Sequence, residues 1–361
     1  MSNVSFGRTS ELSVRRVAGI GALGAVAVFL LWGIVAPAST PGRILRVMFT
    51  KSALSATLRL SVPIAFAALG GIFAEKSGVI NIGLEGLLII SAFTAVFATD
   101  TLAGQQAATT ADIWGGLLVG VGVSVLLAGV FAVVCIEFRA DQIIAGLAVW
   151  LIALGLAPFA SQVIYGGPNT ASVETFETIT VPVLSQLPFF GALFDATPMV
   201  YLMFVATAAS WYTLTRTSFG RWVVASGENP KALDTAGVDV TRVRYAAVLI
   251  SGLLAGIGGA ALSLGLGQFV GNGQTMVNGK GFIAIVAYLF GNYNPVGALL
   301  STFLFAGLDA LQLRLQAAAI IAVPQSLVRT IPYIAVIVVL ALFGKTRLPE
   351  AAGEHYESGD D

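Results

Sequence analysis

Residues 216–244 read RTSFGRWVVASGENPKALDTAGVDVTRVR, with long apolar segments on both sides. This polar interruption sets the flanking segments apart as membrane spans and stands between them as a structured surface facing water. Within it, Asn229 suits the N-cap of a helix. Pro230 suits the first helical position, where its missing N–H costs nothing, and Gly237 can take the left-handed conformation that stops a helix. The helix so bounded, 230–236, has about two turns and is too short to persist alone in water. It needs a surface to dock against. An ordinary connecting loop is the competing reading, but this is the longest inside-facing polar stretch and it carries both start and stop signals. Asp239 can cap the next helix, whose apolar segment begins near Val243.

Composition supports the membrane reading. Hydrophobic residues make up 57% of the chain and charged residues 11%, with a mean hydropathy of +0.88, well beyond the range of water-soluble domains. The fold class expected is all-α, a polytopic membrane protein with about 8–10 transmembrane helices. Nineteen basic residues balance nineteen acidic ones, so no net field points to a nucleic acid. Cys135 and His355 are the only cysteine and histidine. One of each builds no internal disulfide, zinc cluster or Cys/His pair, and no serine sits in a nucleophile elbow. An enzyme is disfavoured, and neither a cofactor nor a metal is called for.

The apolar runs place spans at 17–36, 53–73, 79–99, 113–136, 142–165, 198–214, 245–270, 296–313 and 324–343, with a short piece at 281–291. The first follows Arg8, Arg15 and Arg16. It reads as an uncleaved anchor, because it exceeds a signal-peptide apolar core and Pro37 lies inside the only cleavage-like site. Residues 42–51 are amphipathic and suit the membrane surface. Three regions result: an anchor with its connector, 1–52; a transmembrane domain, 53–343; and an acidic tail, 344–361, expected to be disordered. Counting the short piece puts both termini on one side. Twelve lysines and arginines then lie inside against five outside, so the termini and the 216–244 loop are cytoplasmic in a multi-pass protein of the cell membrane.

Polar residues within the spans are candidates for a solute path. In 70–86, GGIFAEKSGVINIGLEG, Glu75 and Lys76 mark a cytoplasmic turn that Gly78 reverses. Asn81 and Glu85 come next, four apart, on one face of an expected helix. Glu85 lies roughly 10 Å into the membrane at helical rise, where a carboxylate must face water or a partner. It either lines a pore with Asn81 or hydrogen-bonds a neighbouring helix. Asp309, with Gln312 three residues on, either lines a cavity or caps an outer helix end. Gly252, Gly256, Gly259 and Gly265 favour close helix packing over a path. The glycine-rich 271–281 has one residue too many and a glycine after Lys280, so it is no nucleotide-binding loop.

Four stretches together resemble a known family: 70–86; GENPKALDTAGVDV, 227–240; GKGFIAIVAYLFGNYNPVGALL, 279–300; and IPYIAVIVVLALFG, 331–344. In order and spacing they resemble permease subunits of ABC importers of the branched-chain amino acid and simple-sugar group, most of all the nucleoside-type permeases, over 58–343. The resemblance implies a non-catalytic subunit that forms the translocation path for nucleosides, with simple sugars or branched-chain amino acids as alternatives. It makes 228–240 a coupling helix that docks on a separate ATP-binding cassette subunit through Glu228, Asn229, Pro230, Ala232, Leu233, Ala236 and Gly237. It implies a second, paralogous permease chain and an extracytoplasmic substrate-binding lipoprotein that meets 166–197, all within membrane lipid. Asp195 and the acidic tail depart from the family pattern. An ion-driven secondary transporter is the rival class; it would use Glu85 and Asp309 and need no docking helix.

Overall fold

Lipid offers backbone amides no hydrogen-bond partner, so the long apolar runs close their bonds internally as helices. The computed structural model describes residues 27–317 and 347–356, together with Gly21 and Gly24; the span expected at 324–343 lies outside the described residues. Helix α1, described over Ala27–Val35, bends by 96° into α2 (Thr40–Met48), and most of the rest of the span expected at 17–36 lies outside the described residues. Ser39 caps α2, accepting from the Gly42 amide at 3.3 Å. Then come α3 (Lys51–Lys76), α4 (Leu84–Ala103), α5 (Thr110–Ala132) with a wider final turn at Val133–Glu137, and α6 (Gln142–Tyr165). An outer segment carries a two-residue antiparallel pairing of β1 (Ile179–Thr180) with β2 (Asp195–Ala196). The chain continues through α7 (Pro198–Arg216), α8 (Ser218–Glu228), α9 (Pro230–Thr235), α10 (Val240–Leu266), α11 (Lys280–Phe290) and α12 (Pro295–Ala317). Among the described residues, six helices are long and apolar enough to cross a membrane alone: α3, α4, α5 with its extension, α6, α10 and α12.

Helices α3, α4 and α10 form the centre, whereas α5 and α6 turn Leu118, Leu126, Leu151 and Phe159 outward, as lipid-facing surfaces do. Small residues set how closely α10 approaches its neighbours. Ser91 Oγ donates to the Gly256 carbonyl at 2.6 Å and Ser124 Oγ to the Gly252 carbonyl at 2.8 Å. A Cβ on Gly259 would lie 2.2 Å from the backbone oxygen of Leu88, so close packing is the role of this stripe, except at Gly265, where nothing lies within 4 Å. Gly259→Val is expected to cost about 3 kcal/mol through overpacking against rigid backbone. A thermal melt of the purified protein checks this, with Gly265→Ala as the tolerated control.

Four sequence expectations need correcting. Helix α4 begins at Leu84 and not near 79, because 77–83 runs without helix. Gly78 has φ +92°, the Ile80 amide donates to Gln142 Oε1 at 2.7 Å, and Asn81 Nδ2 donates to Ser251 Oγ at 3.0 Å. Tertiary partners thus replace helical ones, and Asn81 shares no helical face with Glu85. The polar loop holds a second helix, α8, whose N-cap Thr217 accepts from the Gly220 amide at 3.1 Å. The tail is packed over 347–356, where its backbone finds fixed carbonyls: the Ala351 amide donates to Gly227 O at 2.8 Å and the Gly353 amide to Gly78 O at 2.9 Å. Finally, Lys280 does not lie in an outer loop but within the bundle, where it opens α11.

The outer segment explains Asp195. Its carboxylate accepts from Lys51 Nζ at 2.8 Å and from Thr180 Oγ1 at 2.8 Å, tying 166–197 to the start of α3. The bond from Lys51, then that from Thr180, holds the Asp195 carboxyl below the usual aspartate range.

Candidate functional site

At one end of the bundle, the polar loop folds as α8, α9 and the start of α10. Asn229 Oδ1 accepts from the Ala232 amide at 3.0 Å, Pro230 opens α9, and Gly237 ends it at φ +80°. Asp239 Oδ1 then accepts from the Arg242 amide at 3.0 Å and starts α10. Leu233 is the one buried side chain of α9, 4% exposed, and seats the helix on the bundle. Ala232, Thr235, Ala236 and Gly237 are exposed. The result is a small convex ridge of short side chains, held from beneath, the shape a groove on another protein can receive. Glu228 closes α8 beside a cleft lined by Lys76, Asn292, Tyr293 and Arg347.

The tail segment 347–356 straps this region. Besides the Gly227 and Gly78 bonds, Glu354 O accepts from Arg244 Nη1 at 2.8 Å, and Tyr356 Oη donates to Asp234 Oδ2 of α9 at 2.9 Å. Removing residues 347–361 is expected to raise amide hydrogen exchange across 228–240 at least about threefold, since those bonds hold the ridge closed to local opening. Unchanged exchange would show that α9 is held without the strap.

The second constellation surrounds a broken span. After α10, residues 267–279 are tied to the outer segment, Val173 N donating to Gly267 O at 2.7 Å and Thr170 N to Phe269 O at 3.1 Å. From there the chain descends through turns, and α11 starts only at Lys280. At 11 residues, α11 is about 16 Å long, half the hydrocarbon core. Its far end meets the last turn of α3, where Tyr288 and Tyr293 both donate to Glu75, the latter at 2.7 Å. Residues 267–290 therefore run as turn-rich chain followed by an 11-residue helix. Such backbone is tolerated at membrane depth only when shielded by protein or water.

Glu85 makes this break stable. It is 2% exposed, and its two carboxylate oxygens accept from the amides of Gly279 at 2.7 Å and Gly281 at 2.6 Å. These are amides that the start of α11 leaves without helical partners. A carboxylate also complements the positive end of the helix dipole. Asn81, 1% exposed, ties the approach to α4 to α10. Neither residue faces open space. Asp309 does: it lines a cavity of about 590 Å³ with Leu60, Ile64, Asn278, Lys280, Gln312 and Gln316. The structure thus separates the three: Asn81 is buried against α10, Glu85 is buried against the start of α11, and Asp309 lines the cavity.

Lys280, Asn278 and Gln316 were not among the sequence-predicted site residues. Lys280 Nζ donates to Met276 O at 3.3 Å and Val277 O at 3.2 Å while interacting electrostatically with Asp309 and Glu85. For Lys280 the signal was the need of Glu85 for donor partners, met by the amides of the Gly-Lys-Gly at 279–281; nothing local marks Asn278 or Gln316. Among the described residues, no group of three or more His, Cys, Asp or Glu side chains is placed to hold a metal.

The chain is 37% identical over 301 residues to the nucleoside ABC transporter permease protein NupC of Lactococcus lactis subsp. cremoris, covering 82% of this chain and 93% of the relative. It is 36% identical to the guanosine ABC transporter permease protein NupQ of Bacillus subtilis, covering 84% and 96%. It is 35% identical to a putative glucose ABC transporter permease protein, TsgC13, of Haloferax volcanii, covering 74% and 79%. No solved structure matches significantly. Residues 53–341 match the family described as branched-chain amino acid transport system / permease component, and this chain, a multi-pass membrane protein, belongs to that family.

Proposed function

We propose that this chain is the permease subunit of an ABC importer for nucleosides. Its partners in that reading are a paralogous second permease chain, an ATP-binding cassette subunit seated on α9, and an extracytoplasmic substrate-binding lipoprotein that meets 166–197. Both termini are cytoplasmic in this proposal. The observation that carries it is α9: a capped two-turn helix with an exposed ridge of Ala232, Ala236 and Gly237, anchored by Leu233 between α8 and α10. A short helix built in this way suits force transfer, because its base is fixed and its outer face is free.

Closure of the ATP-binding partners would move α9. Glu228, Asn229 and Pro230 would pass that motion into α8, and Gly237 with the Asp239 cap would pass it into α10. Because α10 packs against α3, α4 and α5, the helices would shift as packed bodies around the path, in the manner of alternating access. Asp309 lines that path in this reading, and Asn81 and Glu85 hold its walls. ATP hydrolysis belongs to the separate subunit.

Nucleosides are favoured as substrate by the two relatives at 37% and 36% identity, which are named as nucleoside and guanosine permeases. The glucose-type relative at 35% identity makes simple sugars the second reading. The test is uptake of labelled guanosine and uridine in cells with and without this chain, challenged with unlabelled sugars and branched-chain amino acids. Chain-dependent uptake that only nucleosides compete away supports the proposal. Chain-dependent uptake removed by sugars or amino acids reassigns the substrate.

A further inference from the structure

The geometry points to the cavity between α3, α11 and α12 as a solute-recognition site within the permease itself, one that takes a neutral nucleoside through its ribose diol and base edge. This rests on the nucleoside reading above and names the residues that would read the solute. Three observations carry it.

The first is size and place. About 590 Å³ falls within the range of small-molecule sites. The cavity lies beside Lys280, where the broken span resumes as helix, and beside Leu60 and Ile64 near the middle of α3. Discontinuous helices at this depth are where transporters hold their solutes.

The second is an unmet polar group. Gln316 lines the cavity, and its Nε2 is buried without a partner among the described residues. A buried amide nitrogen that donates to nothing is costly. Gln312, one turn earlier on α12 and 9% exposed, faces the same space. A pair of amides spaced by one helical turn can donate to and accept from the edge of a nucleobase.

The third is charge. One cation, Lys280, and one anion, Asp309, face each other across the lining and interact electrostatically, while the Glu85 carboxylate is occupied by the α11 amides. A balanced lining suits an uncharged solute and disfavours a phosphate ester beside Asp309. An ionised carboxylate accepts from two hydroxyls at once, which fits a vicinal diol and not a 2′-deoxyribose. Asn278, on the last turn before α11, supplies a further amide.

The experiment uses the whole importer, this chain with its paralogue, ATP-binding subunit and binding protein, in proteoliposomes at saturating loaded binding protein. Turnover is measured for guanosine and 2′-deoxyguanosine. Gln312→Leu is expected to lower guanosine turnover at least about tenfold. Asp309→Asn is expected to shrink the guanosine to deoxyguanosine ratio about fivefold. Leu300→Ala, at an exposed position outside the cavity lining, should match wild type. Gln312→Glu, nearly isosteric, replaces the leucine variant if that fails to assemble, and it too should lower guanosine turnover. Wild-type turnover and an unchanged ratio in the Gln312 and Asp309 variants would overturn the site. A wild-type importer that carries no nucleoside overturns the nucleoside reading instead. Sugar transport lost in the same variants would still support the cavity while changing its ligand class.

Discussion

Glu85→Leu is expected to lower the apparent Tm of the detergent-solubilised protein by roughly 10 °C and to abolish transport. Both Glu85 oxygens accept amide hydrogen bonds, at 2.7 and 2.6 Å. Hydrogen bonds to a charged group contribute roughly 1.5–3 kcal/mol each, and leucine would leave two amides without partners. A loss of about 4 kcal/mol results, and each kcal/mol moves Tm by roughly 2–4 °C in a large domain. The same loss frees the start of α11 from α4, so the wall that carries Lys280 moves. Glu85→Gln, which keeps one acceptor in place, should fall between wild type and leucine in both stability and transport. The pattern separates a structural carboxylate from an ion-coupling one: the latter would lose transport in the glutamine variant with Tm unchanged. Thermal melts alongside uptake decide between them, and a leucine variant within about 2 °C of wild type would contradict the assignment.

Ala232→Glu is expected to leave folding intact and remove coupling. Ala232 is exposed on the ridge of α9, so a longer side chain there costs the isolated subunit little. Docked in a groove, the added carboxylate would be buried without a partner, a penalty of about 3–5 kcal/mol, or more than a hundredfold in affinity. Uptake and substrate-stimulated ATP hydrolysis should fall together at wild-type expression and Tm. Gly237→Val should act differently. With φ at +80°, a β-branched residue strains the turn by about 1–2 kcal/mol and re-aims α9 against α10. Partial coupling with a small fall in Tm is the expected result. Normal transport in both variants would remove α9 from the coupling path.

Much of this arrangement was legible in the chain because it is written in local signals. The caps at Asn229 and Asp239 and the stop at Gly237 are where residue chemistry alone puts them. The span at Gln142–Tyr165 matches its apolar run at both ends, since Asp141 caps its start, accepting from the Ile143 and Ile144 amides, and Gly166 ends it in the left-handed conformation. The features that could not be read were set by distant partners. The start of α4 looks helical from Val79 onward, but Gln142 and Ser251 hold 80 and 81 out of the helix. Lys280 looks like part of an outer loop because nothing local says that 267–279 descends. That descent depends on Glu85, 194 residues earlier. The tail reads as disordered from its acidity, yet 347–356 is ordered by distant partners, the carbonyls of Gly78 and Gly227 and the side chains of Arg244 and Asp234, which composition does not encode.

The central claim is that α9 is the seat of the ATP-binding subunit, and cross-linking tests it most directly. Cys135, the only cysteine, is buried at 1% exposed, so an Ala232→Cys variant presents one accessible thiol at the ridge. Treated with a short bifunctional thiol reagent in membranes that contain the whole importer, Ala232→Cys should give a covalent adduct with the ATP-binding subunit. Leu233→Cys, whose side chain faces the bundle, should give none. Equal labelling of the two positions, or an Ala232→Cys thiol that reacts freely with a bulky water-soluble reagent in the assembled importer and never captures that subunit, would contradict the claim.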